Sequence, residues 1–311
     1  MSPVAVIDIG SNSIKCLVAA RAADGSLGAL AQKTIDARIS AGISEAAPHL
    51  AEASTIRGLA AIDELLSFAA PFSPAQTILV ATSAVRDAEN GTEFIDRVRA
   101  ATGQTIRLLS GDEEANLIGR GLICDPALSG LRDFYVFDLG GGSLECLAFR
   151  NRRIEQAASL QLGCVRLAEK FDADREQPVV SKTLATISRH VKSTLAKAAF
   201  AFSLPPGSIA VGTGGTITTV RAIFAARAGQ PLELTDTLVA ISQLRTLLPE
   251  LAALRLADRK LVAGLPSARA DVFPTALATL IAVAEAGGFD SFRHSLYNLR
   301  FGLAAEALKI D

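Results

Sequence analysis

The sequence predicts an α/β protein built from two copies of one lobe. Short β-branched, apolar runs alternate with amphipathic stretches along its 311 residues, a length that supports about two domains with a core each. Residues 4–19 (VAVIDIGSNSIKCLVA) and 134–149 (FYVFDLGGGSLECLAF) align without a gap at a constant offset of 130 residues. Asp8 meets Asp138, Gly10 meets Gly140, Ser13 meets Ser143 and Cys16 meets Cys146. This period far exceeds that of a solenoid and reads as a duplicated domain. Each copy opens on a strand, a glycine turn and a return strand, and the two hairpins are expected to face each other across a cleft.

The boundaries follow from the repeat and from the Pro126- and Gly130-containing crossing at 122–133. They give a first lobe at 1–122, a second at 123–293 and a C-terminal helix at 294–311 packing back on the first lobe. In the first lobe Gly25 marks a turn and 29–38 a further strand. Residues 50–69 form a helix with Leu50, Ile56, Leu59, Ile62, Leu65 and Phe68 on its apolar side, ended by Pro71 and Pro74. A buried strand follows at 77–82, then a helix at 92–101 capped by Thr92 and a strand at 105–109. In the second lobe the hairpin precedes a strand at 159–165, a helix to about Phe171 and a long amphipathic helix at 181–202. Residues 208–217 (SIAVGTGGTI) read as strand, glycine turn and helix start. Helices at 241–249, 257–262 and 273–286 and a helical tail at 294–310 complete the chain.

Composition excludes several partners. Lys plus Arg total 31 against 32 Asp plus Glu, so a net charge of −1 provides no global field for nucleic acid or an anionic membrane. No apolar run approaches the ~20 residues of a membrane span. Cys16, Cys124, Cys146 and Cys164 lack zinc spacing, and no basic segment with an apolar core opens the chain. A reducing cytoplasm is expected, with the cysteines as small core residues, and homodimerisation is left open.

The glycine turns carry the chemistry. Gly140, Gly141, Gly142 and Ser143, with Gly10, Ser11, Asn12 and Ser13 in the first copy, can converge backbone N–H groups on a phosphate. Asp138 and Glu145 flank the second turn and would repel that phosphate unless a cation or a proton-transfer role accounts for them. Asp8 holds the place of Asp138 in the first copy, so magnesium bound by Asp8, Asp138 and Glu145 is expected. Lys15 stands where the second copy has Glu145, and Arg86 leaves the strand at 77–82 at the same sheet edge. Both suit phosphate binding, with plain surface charge as the alternative. Ser110 and Glu113 have the spacing of a capping box, which accounts for Glu113 but not for Glu114. Glu114 lies ~100° further round the first helical turn, placed to deprotonate a water or simply solvated. Gly214 and Gly215 form a third, individually weak, glycine turn. His49, His190 and His294 show no metal spacing, and neither a nucleophile elbow nor a Walker sequence occurs.

Taken in order, VAVIDIGSNSIKCLV, ATSAVRDAENGTEF, LLSGDEEANLIGRGL, FDLGGGSLE, LQLGCVRL, VGTGGT and GLPSARADV resemble the exopolyphosphatase and guanosine pentaphosphate phosphohydrolase (Ppx/GppA) family over nearly the whole chain. The resemblance implies two actin-like, ribonuclease-H-like lobes, each a mixed five-stranded sheet flanked by helices, with a cleft for a phosphate chain. It implies hydrolysis of a terminal phosphoanhydride in polyphosphate or pppGpp by a glutamate-activated water with magnesium. Glu114 stands at the family's proposed base and Glu145 at its second catalytic carboxylate. Leu144 replaces the threonine of many relatives, on the strand face away from Ser143 and Glu145. The chain also reads as a short form without the helical extension of longer members. Two other readings stay open: an actin-like kinase or ATPase, and a silent module that binds polyphosphate or guanosine alarmones.

Overall fold

A glycine-turned hairpin opens each of the two units into which the chain divides. The computed structural model describes residues 2–40, 42–45 and 47–310. One unit comprises Met1–Gly130 with Tyr297–Asp311 and the other Leu131–Leu296.

In the first unit β1 (Val4–Ile9) returns as β2 (Ile14–Arg21), and β3 (Leu27–Ile35) continues the meander. α1 (Glu52–Ala69) crosses over to β4 (Gln76–Ala81), which lies parallel to β1. α2 (Ser83–Arg86) and α3 (Gly91–Thr102) lead to β5 (Ile106–Leu108), parallel to β4, and then to α4 (Gly111–Ile123). The sheet order is β3-β2-β1-β4-β5. Val4, Ala5, Val6, Ile7 and Ile9 of the central β1 are buried, the continuous apolar pattern of a strand covered on both faces.

The second unit repeats this with β6 (Phe134–Leu139), β7 (Leu144–Arg150) and β8 (Arg153–Leu160). It continues through α5 (Cys164–Phe171), α6 (Ser181–Lys197), β9 (Ile209–Thr213) and α7 (Gly214–Ala228). β10 (Leu238–Ala240), α8 (Ile241–Ala252), α9 (Leu256–Arg259), α10 (Phe273–Gly287) and β11 (Ser291–His294) complete it. Its sheet order is β10-β11-β9-β6-β7-β8. With β10 set aside, order and strand directions copy the first sheet. The hairpin registers also coincide, Asp8 opposite Lys15 and Asp138 opposite Glu145. The last helix, α11 (Leu299–Leu308), belongs to the first unit. The α/β class with two mixed, helix-flanked sheets is therefore as expected, except that among the described residues the second sheet has six strands rather than five.

Several elements depart from the sequence reading. The strand expected at 159–165 is β8, ending at Leu160, because the chain from Gly163 onward starts α5. Thr92 is not a cap: α3 begins at Gly91, and the Asn90 side chain instead bonds both backbone groups of Leu50. α6 stops at Lys197, freeing Phe200 and Phe202 to join Tyr135, Phe137 and Phe289 in an aromatic cluster. Pro249 lies inside α8, which runs past it to Ala252. The tail is strand to His294 and helix only from Leu299. α1 buries Ser54, Thr55, Gly58, Ala61, Ile62 and Leu65 and leaves Ile56 54% exposed. Small residues prevail on that face because Gly58 packs against the Phe94 ring. Among the described residues no helix is long and apolar enough to cross a membrane.

α4 and α11 meet backbone to backbone. A Cβ on Gly121 would overlap the Asn298 carbonyl, and one on Gly302 would overlap the Leu117 carbonyl. Gly302→Ala is expected to lower the unfolding free energy by about 1–3 kcal/mol in denaturant titration, although alanine is intrinsically the better helix former by about 1 kcal/mol.

In the second unit Arg221 ties the 229–237 segment to β11. Its Nη1 donates to His294 Nδ1 at 2.8 Å, and its other nitrogens reach the Asp236, Leu232 and Thr235 carbonyls. Arginine only donates, so the histidine proton sits on Nε2, 3.0 Å from Thr218 Oγ1, whose own hydrogen goes to the Gly214 carbonyl. Burial, helped by the Arg221 charge, pushes His294 down from 6.5 to about 3. The unfolded chain thus binds a proton that the folded one refuses between those values. This contribution to stability is complete above pH 6.5 and is lost as pH falls toward about 3, at about 1.4 kcal/mol per pH unit. Acid unfolding followed by circular dichroism should show a shallower pH slope in His294→Gln than in the wild type over this window.

Candidate functional site

The carboxyl ends of parallel strands are where ligands gather in α/β sheets. In the first unit the ends of β1, β4 and β5 deliver the 10–13 turn, the Thr82–Arg86 segment and the start of α4 to one sheet edge. Ser11 Oγ lies 3.1 Å from Ser83 Oγ, and Thr82 N–H donates to the Ile9 carbonyl at 3.3 Å. Three residues past Ser83, Arg86 Nη1 donates to the Leu109 carbonyl at 2.9 Å and to Glu114 Oε2 at 3.1 Å. α2 thus links the turn to Glu114, which is 7% exposed. Glu113 is spent on the capping box: Ser110 N–H donates to its Oε2 at 2.8 Å, and its own N–H donates to Ser110 Oγ at 3.2 Å. Those bonds and Arg107 hold the exposed Glu113 carboxyl below its usual range.

The carbonyls of the first turn are occupied from behind. Arg38 N–H donates to the Asn12 carbonyl at 2.9 Å and Ser40 N–H to the Ser11 carbonyl at 3.3 Å. Asn12 itself is buried, and neither atom of its side-chain amide has a hydrogen-bond partner among the described residues. Behind the hairpin, burial raises the Asp8 carboxyl while Lys15 and Arg300 pull it back. Arg300, on α11, is buried and donates from Nη1 to the Cys16 carbonyl at 3.2 Å.

In the second unit α5 replaces the 38–40 segment. N–H groups of Gly163, Cys164 and Val165 donate to the carbonyls of Gly142, Gly140 and Gly141 at 3.3, 3.0 and 2.9 Å. Arg166 Nε adds a bond to the Gly142 carbonyl at 2.9 Å. A Cβ on Gly163 would overlap the turn, so the helix docks only through glycine. Asp138 and Glu145 face each other across the hairpin, and Glu145 accepts from Ser159 Oγ at 2.8 Å. Gly214, at φ +81°, presses on the Asp138 carboxylate where any Cβ would overlap it, and the Arg269 guanidinium lies against Gly215. Thr216 Oγ1 donates to the Leu139 carbonyl at 2.8 Å, binding the third glycine turn to the second.

The predicted residues therefore divide between the units. Gly10, Ser11, Asn12, Ser13, Asp8, Lys15, Arg86 and Glu114 lie in the first; Asp138, Gly140, Gly141, Gly142, Ser143, Glu145, Gly214 and Gly215 lie in the second. Among the described residues no three His, Cys, Asp or Glu side chains group so as to hold a metal ion. Of the three carboxylates expected to bind magnesium, Asp8 lies in the first unit and Asp138 and Glu145 in the second. Asp8 faces cations, whereas Asp138 and Glu145 form an acidic pair. Sequence reasoning missed Arg166, Arg269 and Arg300. Each stands in a stretch noted for its motif or its place in the tail, but a lone arginine carries no local pattern that says which turn it reaches.

These features define a duplicated α/β protein whose strand ends present glycine turns with carboxylates and guanidinium groups beside them. The chain belongs to the Ppx/GppA phosphatase family, whose model matches residues 18–310. It is 31% identical over 305 residues to a guanosine-5'-triphosphate,3'-diphosphate pyrophosphatase of Vibrio atlanticus (strain LGP32), covering 97% of this chain and 58% of the relative. A second of that name, from Vibrio parahaemolyticus serotype O3:K6, is 30% identical over 305 residues, with 97% and 58% covered. The chain thus spans under two thirds of the length of these relatives. Among solved structures, an exopolyphosphatase from Cytophaga hutchinsonii superimposes with a TM-score of 0.88 at 23% identity, over 99% of this chain and 98% of that one. The Aquifex aeolicus PPX-GPPA enzyme gives 0.77 at 24% identity, over 98% and 99%. At these identities the structural likeness shows the shared fold.

Proposed function

We propose that the chain is a phosphohydrolase that releases the terminal phosphate of inorganic polyphosphate or pppGpp by attack of a water activated by Glu114. The observation that supports this most directly lies in the first unit. A glycine turn with a buried Asn12 amide that has no partner among the described residues connects, through the Ser11–Ser83 contact and Arg86, to a nearly buried glutamate that capping does not use. A buried amide N–H left unsatisfied costs stability, and a phosphoryl oxygen is an acceptor for Asn12 Nδ2. In this reading the turn backbone and Asn12 bind phosphate, with Ser13 and Lys15 beside them. Arg86 orients the Glu114 carboxylate and lends charge to the phosphoryl group. Glu114 takes the proton of the attacking water as the new P–O bond forms, and the bridging P–O bond breaks with its electrons passing to the shortened chain. The names of the curated relatives favour the guanosine substrate and that of the Cytophaga structure polyphosphate.

Magnesium suits Asp138 and Glu145, since it takes one or two carboxylates and completes its shell with phosphate oxygens and water. Asp8 suits it less, because Lys15 and Arg300 already compensate that carboxylate. When bound, magnesium would withdraw charge from the phosphoryl oxygens. Glu145, Gly140, Gly141, Gly142, Ser143, Gly214 and Gly215 then belong to the phosphate- and metal-binding set of the second unit.

Glu114→Gln should reduce phosphate release roughly 10²- to 10⁴-fold with little change in substrate affinity. The adjacent Glu113→Gln, which only loosens the cap, should keep near wild-type turnover. Equal turnover in both variants rejects Glu114 as the base. Calorimetric titration should find weak magnesium binding to the free protein and tighter binding once a phosphate chain is present, with Asp138→Asn abolishing the gain. Full hydrolysis in chelator counts against the metal.

A further inference from the structure

Arg166 reaches the second turn twice. Its N–H donates to the Gly141 carbonyl at 3.2 Å, and its Nε donates to the Gly142 carbonyl at 2.9 Å. The first turn is backed differently: among the described residues its Ser11 and Asn12 carbonyls receive neutral backbone N–H groups, from Ser40 and Arg38. Behind the second turn one donor is a cation. Within that turn the Gly140 N–H closes on the Ser143 carbonyl at 3.0 Å. The N–H groups of Gly142 and Ser143, both buried residues, donate to nothing among the described residues. Buried backbone donors are paired as a rule, so these two suit an external acceptor.

The Gly142 carbonyl and the Ser143 N–H are the two ends of one peptide group. Resonance couples them, so charge drawn toward the oxygen makes the N–H a stronger donor. The register gives this a purpose. Where the first hairpin sets Lys15 opposite Asp8, the second sets Glu145 opposite Asp138, and an anion at the second turn meets two carboxylates. A cation on the far side of the peptide offsets that repulsion without standing in the ligand's place. We propose that Arg166 is a positioning residue of the second turn, whose charge on the Gly142 carbonyl polarises the Gly142–Ser143 peptide and tightens the hold of the Ser143 N–H on a phosphoryl oxygen. The inference rests on the phosphohydrolase reading for its ligand class. Across one peptide group the guanidinium lies roughly 7–8 Å from such an oxygen. At that range its attraction amounts to roughly 10- to 50-fold in affinity.

Arg166→Gln and Arg166→Lys separate the charge from the hydrogen bond, because glutamine can set a neutral N–H where Nε stands and lysine keeps the charge. Calorimetric binding of a methylene-bridged tripolyphosphate analogue at fixed magnesium should weaken roughly 10- to 50-fold in Arg166→Gln and stay within about threefold of wild type in Arg166→Lys. Isotopic labelling of glycine carbonyl carbon and serine nitrogen leaves four peptide signals, Gly10–Ser11, Gly25–Ser26, Gly142–Ser143 and Gly207–Ser208. In the ligand-free protein the Gly142–Ser143 signal should move upfield in both nuclei in Arg166→Gln and less in Arg166→Lys, while Gly25–Ser26 and Gly207–Ser208 stay in place. Wild-type affinity in Arg166→Gln, an equal loss in the two variants, or a Gly142–Ser143 signal that ignores the glutamine overturns the proposal. Movement of the Gly25–Ser26 and Gly207–Ser208 signals as well shows a disturbed fold and also overturns it. Wild-type protein that binds the analogue but releases no phosphate from tripolyphosphate defeats the hydrolase reading while Arg166 is still tested by binding. Wild-type protein that does not bind the analogue defeats both.

Discussion

A turn whose N–H groups face an anion must send its carbonyls the other way, and something has to receive them. Most of what surrounds each hairpin follows from that constraint. The first turn is backed by an irregular segment with a left-handed Arg38, the second by the N-terminus of a helix that approaches only because residue 163 is glycine. The supports differ while the hairpins match residue for residue in register. Duplication preserved the geometry of the turn and left its backing free to diverge.

Divergence also altered the charge at one register position. Lys15 opposite Asp8 makes a compensated pair, and Arg300 adds a second cation from the far end of the chain. Glu145 opposite Asp138 makes an acidic pair, steadied by the Ser159 hydroxyl and hemmed in by Gly214. Two copies of one scaffold thereby present opposite electrostatics, a carboxylate offset by cations in one and two facing carboxylates in the other.

The repeat, the hairpins, the parallel strands and the capping box were legible because each rests on local pattern: β-branched runs, glycine turns, and Ser110 three residues before Glu113. The missed strands are short or weakly patterned. β10 has three residues, β11 four, and β8 carries charge at Arg153 and Glu155, so sheet pairing rather than sequence sets their state. α1 was read with Ile56 inside because periodicity counts apolar residues, whereas packing against Phe94 selects small ones. At the site, residues on glycine turns or in the capping box could be named in advance. Arg166, Arg269 and Arg300 could not, since each acts on a turn far from it in sequence or, for Arg166, on one reached only through the docking of α5.

The glycine crossing of α4 and α11 makes the first unit discontinuous in the chain, its final helix arriving after all of the second. During synthesis the second unit, contiguous from Leu131 to Leu296, has its whole core available as soon as it emerges. The first, although begun earlier, waits with α4 uncovered until residue 302 is outside the ribosome. The order of completion is therefore the reverse of the order of translation, and the helix that carries Glu114 is among the last parts of the molecule to become rigid.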